Sequence, residues 1–193
     1  NIVRTSYAEL HTMSKQVSGA LIEAGITLGD RVATLGWNSA RHMAAWYGTM
    51  GIGAVLHTIN PRLHPEQIAW IANHAEDKVL IFDTTFLPIV EAVKDHLKTI
   101  KTFVIFAGAD DLPENSVGAV AFDEWIAGKS LNARWGDFPE ETACGLCYTS
   151  GTTGNPKGVL YSHRSNVLHT LITMSKDAMG MGADDVVLPV VPM

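Results

Sequence analysis

The segment from Tyr148 to Val159 has a composition suited to binding a polyanion. Its glycines, which let backbone N–H groups approach a ligand and form an anion-binding nest, are Gly151, Gly154 and Gly158. Its hydroxyl donors are Thr149, Ser150, Thr152 and Thr153. Lys157 adds a fixed positive charge. Together these groups predict a site for a triphosphate, because its dispersed negative charge needs many donors and a cation.

Other interpretations of this segment fit less well. A flexible Gly/Ser/Thr linker has a similar composition, but predicted strands enter and leave the segment, and Pro156 stiffens its far end. A Walker A loop opens a helix after its lysine, whereas Lys157 precedes Gly158 and a predicted strand. The sequence 51–53 begins like a dinucleotide fingerprint but has Leu56 where the third glycine belongs. The segment is therefore neither a GTPase-type loop nor a nicotinamide site.

The elements that must position this segment alternate between helix and strand. Apolar spacing predicts helices over about 7–24, 40–50, 65–75, 90–97 and 164–179. Short apolar runs predict strands at 31–35, 54–59, 79–82, 102–106, 144–149, 159–161 and from Val186 onward. Ser6 and Glu9 form a capping-box pattern, and Gly25 is the predicted C-terminal cap. The alternation predicts an α/β fold with a parallel sheet covered by helices on both faces.

The chain divides near residue 141 by composition. Residues 5–107 carry the first α/β layer, and 108–141 form a Gly- and Pro-containing connection with one short helical piece at 122–126. We therefore predict a first α/β subdomain with its connecting segment at 1–141. Residues 142–193 begin a second α/β subdomain that carries the loop. Both ends of the sequence look cut, so we expect a truncated part of a longer protein.

The composition argues against several classes of protein. The chain is 47% hydrophobic and 18% charged, which is typical of a globular protein. A net charge of -6 argues against a general nucleic-acid binder. No apolar run approaches the roughly 20 residues of a membrane span. The 2 cysteines are too few for a secreted disulfide scaffold, and the N-terminus has no basic and apolar leader. A cytoplasmic location is therefore the default expectation.

The sequence of residues 148–159, Tyr-Thr-Ser-Gly-Thr-Thr-Gly-Asn-Pro-Lys-Gly-Val, closely resembles the signature phosphate loop of the adenylate-forming superfamily. That superfamily includes acyl-CoA synthetases, luciferases and peptide-synthetase adenylation domains. Residues 53–68, 73–77 and 158–165 are similar to medium-chain fatty-acid:CoA ligases and 3-methylmercaptopropionate:CoA ligases. The resemblance covers nearly the whole chain and implies part of the large N-terminal α/β domain of an acyl-CoA synthetase.

The resemblance implies that the loop cradles the β- and γ-phosphates of ATP. The implied nucleotide contacts are Thr149, Ser150, Gly151, Thr152, Thr153, Gly154 and Lys157. Thr149 would also help to hold Mg²⁺. The implied reaction activates a carboxylic acid, a medium- or short-chain fatty acid, as acyl-AMP and then transfers it to coenzyme A. A homodimer would fit the relatives. The family's catalytic lysine lies in a later domain, so no catalytic residue is assigned and the isolated chain is expected to be inactive.

Two alternative functions stay open on the sequence. A luciferase-like oxidoreductase would use the same adenylation half-reaction, although the pattern outside the loop favours the ligase. A non-catalytic nucleotide-binding module, complete at 193 residues, would bind ATP without the later steps. Acid-dependent release of AMP and pyrophosphate without light or oxygen uptake would separate the first alternative from the ligase.

Other residues that could do chemistry are predicted to be structural. Cys144 and Cys147 lie on a predicted strand and point to opposite faces, which is unlike a redox pair at a helix N-terminus. The 8 histidines show no recognised metal-ligand spacing. His163 is predicted to cap or support the following helix, and an approach to substrate or nucleotide is the alternative.

A second group of polar residues, His57, Asn60 and Arg62, lies at a strand end, where ligands of α/β proteins often bind. We predict that all of them pack against the rest of the domain.

Overall fold

The computed structural model describes residues 3–149 and 155–189. The helices are α1 (Tyr7–Glu23), α2 (Ala40–Gly51), α3 (Pro65–His74), α4 (Leu87–Val93), α5 (Phe122–Ile126) and α6 (His163–Met174). The strands are β1 (Arg31–Leu35), β2 (Val55–Thr58), β3 (Asp77–Phe82), β4 (Thr102–Ile105), β5 (Val120–Ala121), β6 (Ala143–Thr149) and β7 (Lys157–Ser162). Short 3₁₀ turns lie at Thr84–Phe86, Lys94–His96 and Ala109–Asp111.

These strands form one sheet in the order β5–β4–β3–β1–β2–β6–β7. Every neighbouring pair is parallel except β6 and β7, which are antiparallel. The predicted α/β fold is confirmed, and the sheet is parallel as predicted except at β7. The antiparallel β7 follows from its connection, because the 7 residues at 150–156 between β6 and β7 are too few for a crossover to a parallel strand. The sheet continues across residue 141, since β6 pairs with β2, and the division of the chain into two subdomains stays a prediction.

Apolar side chains cover both faces of the sheet. Consecutive residues of β3 alternate, so that Leu80 packs with α3 and α4 whereas Ile81 packs with α1, α2 and α5. The largest fully buried side chains include Phe82, Phe122 and Leu21. Burial on both sides explains why the parallel strands are continuous apolar runs in the sequence.

The helix ends follow the local signals in the sequence. Ser6 Oγ accepts from the Glu9 N–H at 3.2 Å, and Glu9 Oε2 accepts from the Ser6 N–H at 2.7 Å, which completes the predicted capping box. Gly25 follows α1 with a φ of 81°, a left-handed conformation in which glycine is favoured. Pro65 is the first residue of α3, as predicted.

Helices α1 and α2 approach each other closely at Gly48. A Cβ atom added there would lie 2.6 Å from Val17 Cβ and 2.7 Å from the Ser14 carbonyl oxygen. We therefore expect Gly48→Ala to lower the free energy of unfolding by about 1–3 kcal/mol, despite the better helix propensity of alanine, because the helices must separate. Urea denaturation would measure this. Gly145→Ala is the control, since its Cβ would meet nothing nearer than 3.9 Å, and equal losses in the two variants would contradict the close approach.

The buried His42 ring is expected to make stability depend on pH. Its Nδ1 lies 3.1 Å from the Trp37 carbonyl oxygen and its Nε2 lies 3.0 Å from Thr34 Oγ1. Burial lowers the pKa of His42, opposed by the hydrogen bond to Trp37. The unfolded chain therefore binds the proton first, and stability should fall as the pH drops below about 6.5.

The thermal midpoint of His42→Gln between about pH 7.5 and 5 should show a flatter dependence than that of the unchanged protein. Part of the slope should remain, because burial also lowers the pKa of His163. An unaltered slope in the variant would show that His42 does not carry the effect.

The structure corrects the predicted end of the chain. Helix α6 ends at Met174 rather than near residue 179, because Ser175 is extended and its carbonyl accepts from the Gly180 N–H at 2.9 Å. The strand predicted from Val186 is wrong for residues 186–189, which lie outside any strand. No strand in the described ranges lies alongside them to complete backbone hydrogen bonds, and the side chains of Val186 to Leu188 are exposed.

The connection at 108–141 holds more structure than predicted. Its short helix is confirmed as α5, but it also adds β5 to the edge of the sheet, where Val104 pairs with Val120. A strand of 2 residues gives no detectable periodicity in a sequence, so this strand was not predicted.

Candidate functional site

The predicted phosphate loop connects the two antiparallel strands β6 and β7. The last pair of this ladder is Thr149 opposite Lys157. Because β6 runs parallel to β2, the loop leaves the sheet at the edge where the parallel strands have their carboxyl ends, which is the usual ligand edge of α/β sheets. Ser150, Gly151, Thr152, Thr153 and Gly154, which were predicted to contact the nucleotide, lie outside the described residues.

Thr149 and Lys157 are neighbours at the two ends of the loop. Residues directly opposite in an antiparallel pair project from the same face, with Cβ atoms about 4.5–5.5 Å apart. Both residues are exposed, so the hydroxyl and the ammonium can reach a ligand. A hydroxyl oxygen beside a phosphate site also suits Mg²⁺, which prefers oxygen ligands and keeps several waters. The two described site residues therefore fit a magnesium-bound polyphosphate.

Helix α3 lies beside both ends of the loop. Glu66, Gln67 and Trp70 of α3 line a recess of about 220 Å³ together with Asn155 and Pro156, which precede β7. At the other end, Nδ1 of His74 lies 2.6 Å from the hydroxyl of Tyr148, the residue before Thr149. The sequence predicted α3 as a helix but gave no sign that it flanks the loop.

Strands β2 and β3 contribute a buried pair of polar side chains near the loop. His57 Nδ1 is 2.7 Å from Asp77 Oδ2, and both side chains are fully buried. Burial raises the pKa of the Asp77 carboxyl, and the hydrogen bond and charge of His57 oppose that rise. His57 is thus inaccessible to a ligand. His57 is buried as predicted, but Asn60 and Arg62 are exposed, so the packing role predicted for them is wrong. They form a local turn instead, in which Asn60 Oδ1 accepts from the Arg62 N–H at 3.0 Å.

The comparison with protein families identifies the family of the chain. The family model described as "AMP-binding enzyme" matches residues 1–193 of the chain. The chain belongs to the AMP-binding enzyme family. The adenylate-forming resemblance of the loop is thereby confirmed at the level of the family.

Curated relatives in the AMP-binding family are named as CoA ligases. The chain is 48% identical to a 3-methylmercaptopropionyl-CoA ligase of Ruegeria pomeroyi over 193 residues, covering 100% of this chain and 36% of that protein. It is 50% identical to a long-chain-fatty-acid–CoA ligase of Thermus thermophilus over 190 residues, covering 98% of this chain and 34% of that protein. The chain thus spans about a third of the length of these relatives.

Solved structures of CoA ligases share the fold. An anthranilate CoA ligase in complex with anthranoyl-AMP superposes with a TM-score of 0.79 at 28% identity, over 85% of this chain and 31% of that chain. An acyl-CoA synthetase of Brucella canis gives a TM-score of 0.79 at 22% identity, over 96% of this chain and 32% of that one, which supports the fold alone. The sheet described above is therefore the architecture found in the AMP-binding family.

An apolar cleft of about 860 Å³ lies on the other face of the sheet, between α2 and α6. Met43, Trp46 and Met50 of α2 line it, and all three are half-buried. His163 also lines it and packs on Phe138 with ring centroids 4.7 Å apart. The N-cap of α6 is Ser162, so His163 supports the helix without capping it. Among the described residues no partner meets the buried His163 Nε2.

The two cysteines of the chain are both free thiols. Cys144 is buried, and the Asn166 amide lies 3.1 Å from its sulfur. Burial raises the pKa of the Cys144 thiol, which disfavours the reactive thiolate. These contacts favour the predicted structural role over a redox role.

Two negative findings apply to residues 3–149 and 155–189. No group of three His, Cys, Asp or Glu side chains is placed to hold a metal ion there. No helix in the same ranges is long and apolar enough to cross a membrane.

Proposed function

We propose that the whole protein to which this chain belongs is an ATP-dependent acyl-CoA ligase. It converts a carboxylic acid to acyl-AMP with release of pyrophosphate and then forms the acyl-CoA thioester. One observation carries the proposal. Thr149 and Lys157 are paired at the two ends of a Gly/Ser/Thr loop, at the ligand edge of a sheet that belongs to the AMP-binding family. The CoA-ligase names of the relatives support the same reaction.

The chain's own residues contribute positioning and electrostatics in this proposal. The substrate carboxylate oxygen attacks the α-phosphorus of ATP, the bond to the β-bridging oxygen breaks, and pyrophosphate leaves. The Lys157 ammonium offsets the negative charge that grows on pyrophosphate, while the loop hydroxyls and amides hold it in line. Thr149 would hold Mg²⁺, which supplies further charge neutralisation when bound. In the second half-reaction the CoA sulfur attacks the acyl carbonyl and AMP departs.

We propose a medium- or short-chain fatty acid, including thioether acids, as the substrate. The names of two relatives support this class, since a 3-methylmercaptopropionyl-CoA ligase and a medium-chain-fatty-acid–CoA ligase are 48% and 45% identical to the chain. The long-chain-fatty-acid–CoA ligase at 50% identity favours a longer chain, so long-chain acids belong in the test series. We place this step of fatty acid metabolism in the cytoplasm, where ATP and CoA are available and free thiols such as that of Cys144 stay reduced.

A homodimer is part of the proposal, and sedimentation analysis would test it.

The experiment is ATP–pyrophosphate exchange by the whole protein with a series of acids. We expect exchange only when an acid is added, and AMP, pyrophosphate and an acyl-CoA when CoA is supplied as well. Formation of ADP and phosphate, or exchange that ignores the acid, would contradict the proposal. Oxygen uptake and light emission, recorded in the same reactions, would instead support the luciferase-like alternative.

A further inference from the structure

Tyr148 is the residue at which the phosphate loop meets the packed interior. It is half-buried, whereas the next residue, Thr149, is exposed. Side chains alternate along a strand, so a Tyr148 ring held on one face of β6 directs Thr149 to the other face. Tyr148 is also opposite Gly158 of β7, where an added Cβ would lie 3.2 Å from the tyrosine ring. The ring therefore rests against the backbone of both strands of the hairpin.

Helix α3 contacts the hydroxyl group of Tyr148. The Tyr148 hydroxyl lies 2.6 Å from His74 Nδ1. Burial raises the pKa of Tyr148, with the charge of Asp77 adding to the rise, so the phenol keeps the proton that a neutral hydrogen bond with His74 needs. Trp70, one turn earlier on α3, stacks on the His74 ring at 4.7 Å and meets the Tyr148 ring edge-on at 6.4 Å. The hydrogen bond is therefore made by a histidine whose own ring is fixed.

The same helix reaches the second end of the loop. Trp70 lines the recess that Asn155 and Pro156 also line, just before Lys157. On the inner side, the ring of the buried His57 lies 5.2 Å from that of Tyr148. One aromatic platform, made of Trp70, His74 and Tyr148, thus supports the loop on its β6 side and its β7 side.

We propose that this platform positions the phosphate loop, so that the hydroxyl of Thr149 and the ammonium of Lys157 are aimed at the polyphosphate before it binds. Its members are positioning residues, because they act through Thr149 and Lys157. The inference rests on the proposed function, since the loop must bind ATP for its aim to matter. Preorganised donors bind a ligand more tightly because the cost of ordering them is met during folding.

The test compares Tyr148→Phe with Tyr161→Phe in the whole protein. Tyr148→Phe removes only the hydroxyl bonded to His74, and we expect an increase of about five- to tenfold in both the KM and the calorimetric Kd for ATP, with little change in the KM for the acid. Tyr161 lies on the same hairpin with its hydroxyl 3.9 Å from the Cys147 sulfur, outside the platform. Tyr161→Phe should leave all three constants near those of the unchanged protein.

A double-mutant cycle with His74→Leu separates positioning from general destabilisation. If Tyr148 and His74 act as one unit, the double variant should bind ATP no more weakly than the worse single variant. Additive losses, or a fall in thermal midpoint without any change in ATP affinity, would overturn the positioning role. If the unchanged protein exchanges pyrophosphate and Tyr148→Phe binds ATP with the same affinity, this inference is wrong and the proposed function stands. If the unchanged protein binds no ATP, both the proposed function and this inference are wrong.

Discussion

Replacing Lys157 by methionine in the whole protein should lower kcat/KM for acid-dependent pyrophosphate exchange by about 10²–10³-fold, the loss typical when one donor to a developing charge is removed. The methionine side chain is unbranched and only one atom shorter, but it no longer neutralises charge on the departing pyrophosphate. The position is exposed at the start of β7, so the fold has little reason to change. Initial rates at varied ATP and acid concentrations give the measurement.

Two variants make the Lys157 result specific. Lys157→Arg keeps the charge but alters its geometry, so it should retain more activity than Lys157→Met. Lys101→Met removes the same charge from an exposed lysine that precedes β4, at the opposite edge of the parallel strands, and should leave the rate unchanged. Similar losses in Lys157→Met and Lys101→Met would mean that overall charge, not this contact, controls the reaction.

Replacing Asp77 by alanine should lower the free energy of unfolding by about 3–5 kcal/mol, because it leaves the buried His57 without its polar partner. The two side chains are fully buried, and no described residue bonds to His57 Nε2 or Asp77 Oδ1, so nothing nearby replaces the lost contact. Urea denaturation of the protein would measure the loss.

A paired substitution checks the reason for that loss. His57→Leu combined with Asp77→Val removes both polar groups, and it should recover much of the stability lost in Asp77→Ala. Asp95→Ala, at an exposed position, should change stability by less than about 0.5 kcal/mol. A double variant less stable than Asp77→Ala would show that the pair stabilises the fold and is not merely costly to break.

Local signals in the sequence predicted much of the fold. Strand β1 was placed at 31–35, and the capping box at Ser6 and the proline that begins α3 were also found from neighbouring residues. These features depend on hydrophobic period and helix-end chemistry, which act within a few residues. The predicted strand at 186–189 failed because an apolar run forms a strand only when a neighbouring strand accepts its backbone.

The site was predictable only in part for the same reason. Thr149 and Lys157 lie in one short motif, so their chemistry could be inferred, and the hairpin brings them together. The contact between His74 and Tyr148 joins residues separated by 74 positions, and the pair of His57 and Asp77 spans β1. Such contacts come from sheet order and helix packing, which a single sequence does not encode in any local pattern.

The apolar face of α6 shows a similar limit. Its periodicity predicted a helix, which is present at His163–Met174, and Val167, Leu168 and Leu171 are among its apolar residues. Within the part of the chain that the structure describes, however, these side chains are exposed. The period identifies a helix face suited to packing, but it does not say what packs there.

A crystal structure of the whole protein with ATP and Mg²⁺ tests the central claim most directly. The account predicts that the triphosphate lies at the loop that joins β6 to β7, with Lys157 Nζ about 3 Å from a β- or γ-phosphate oxygen and the Thr149 hydroxyl beside the metal. A nucleotide bound elsewhere, with Lys157 pointing into solvent, would contradict it.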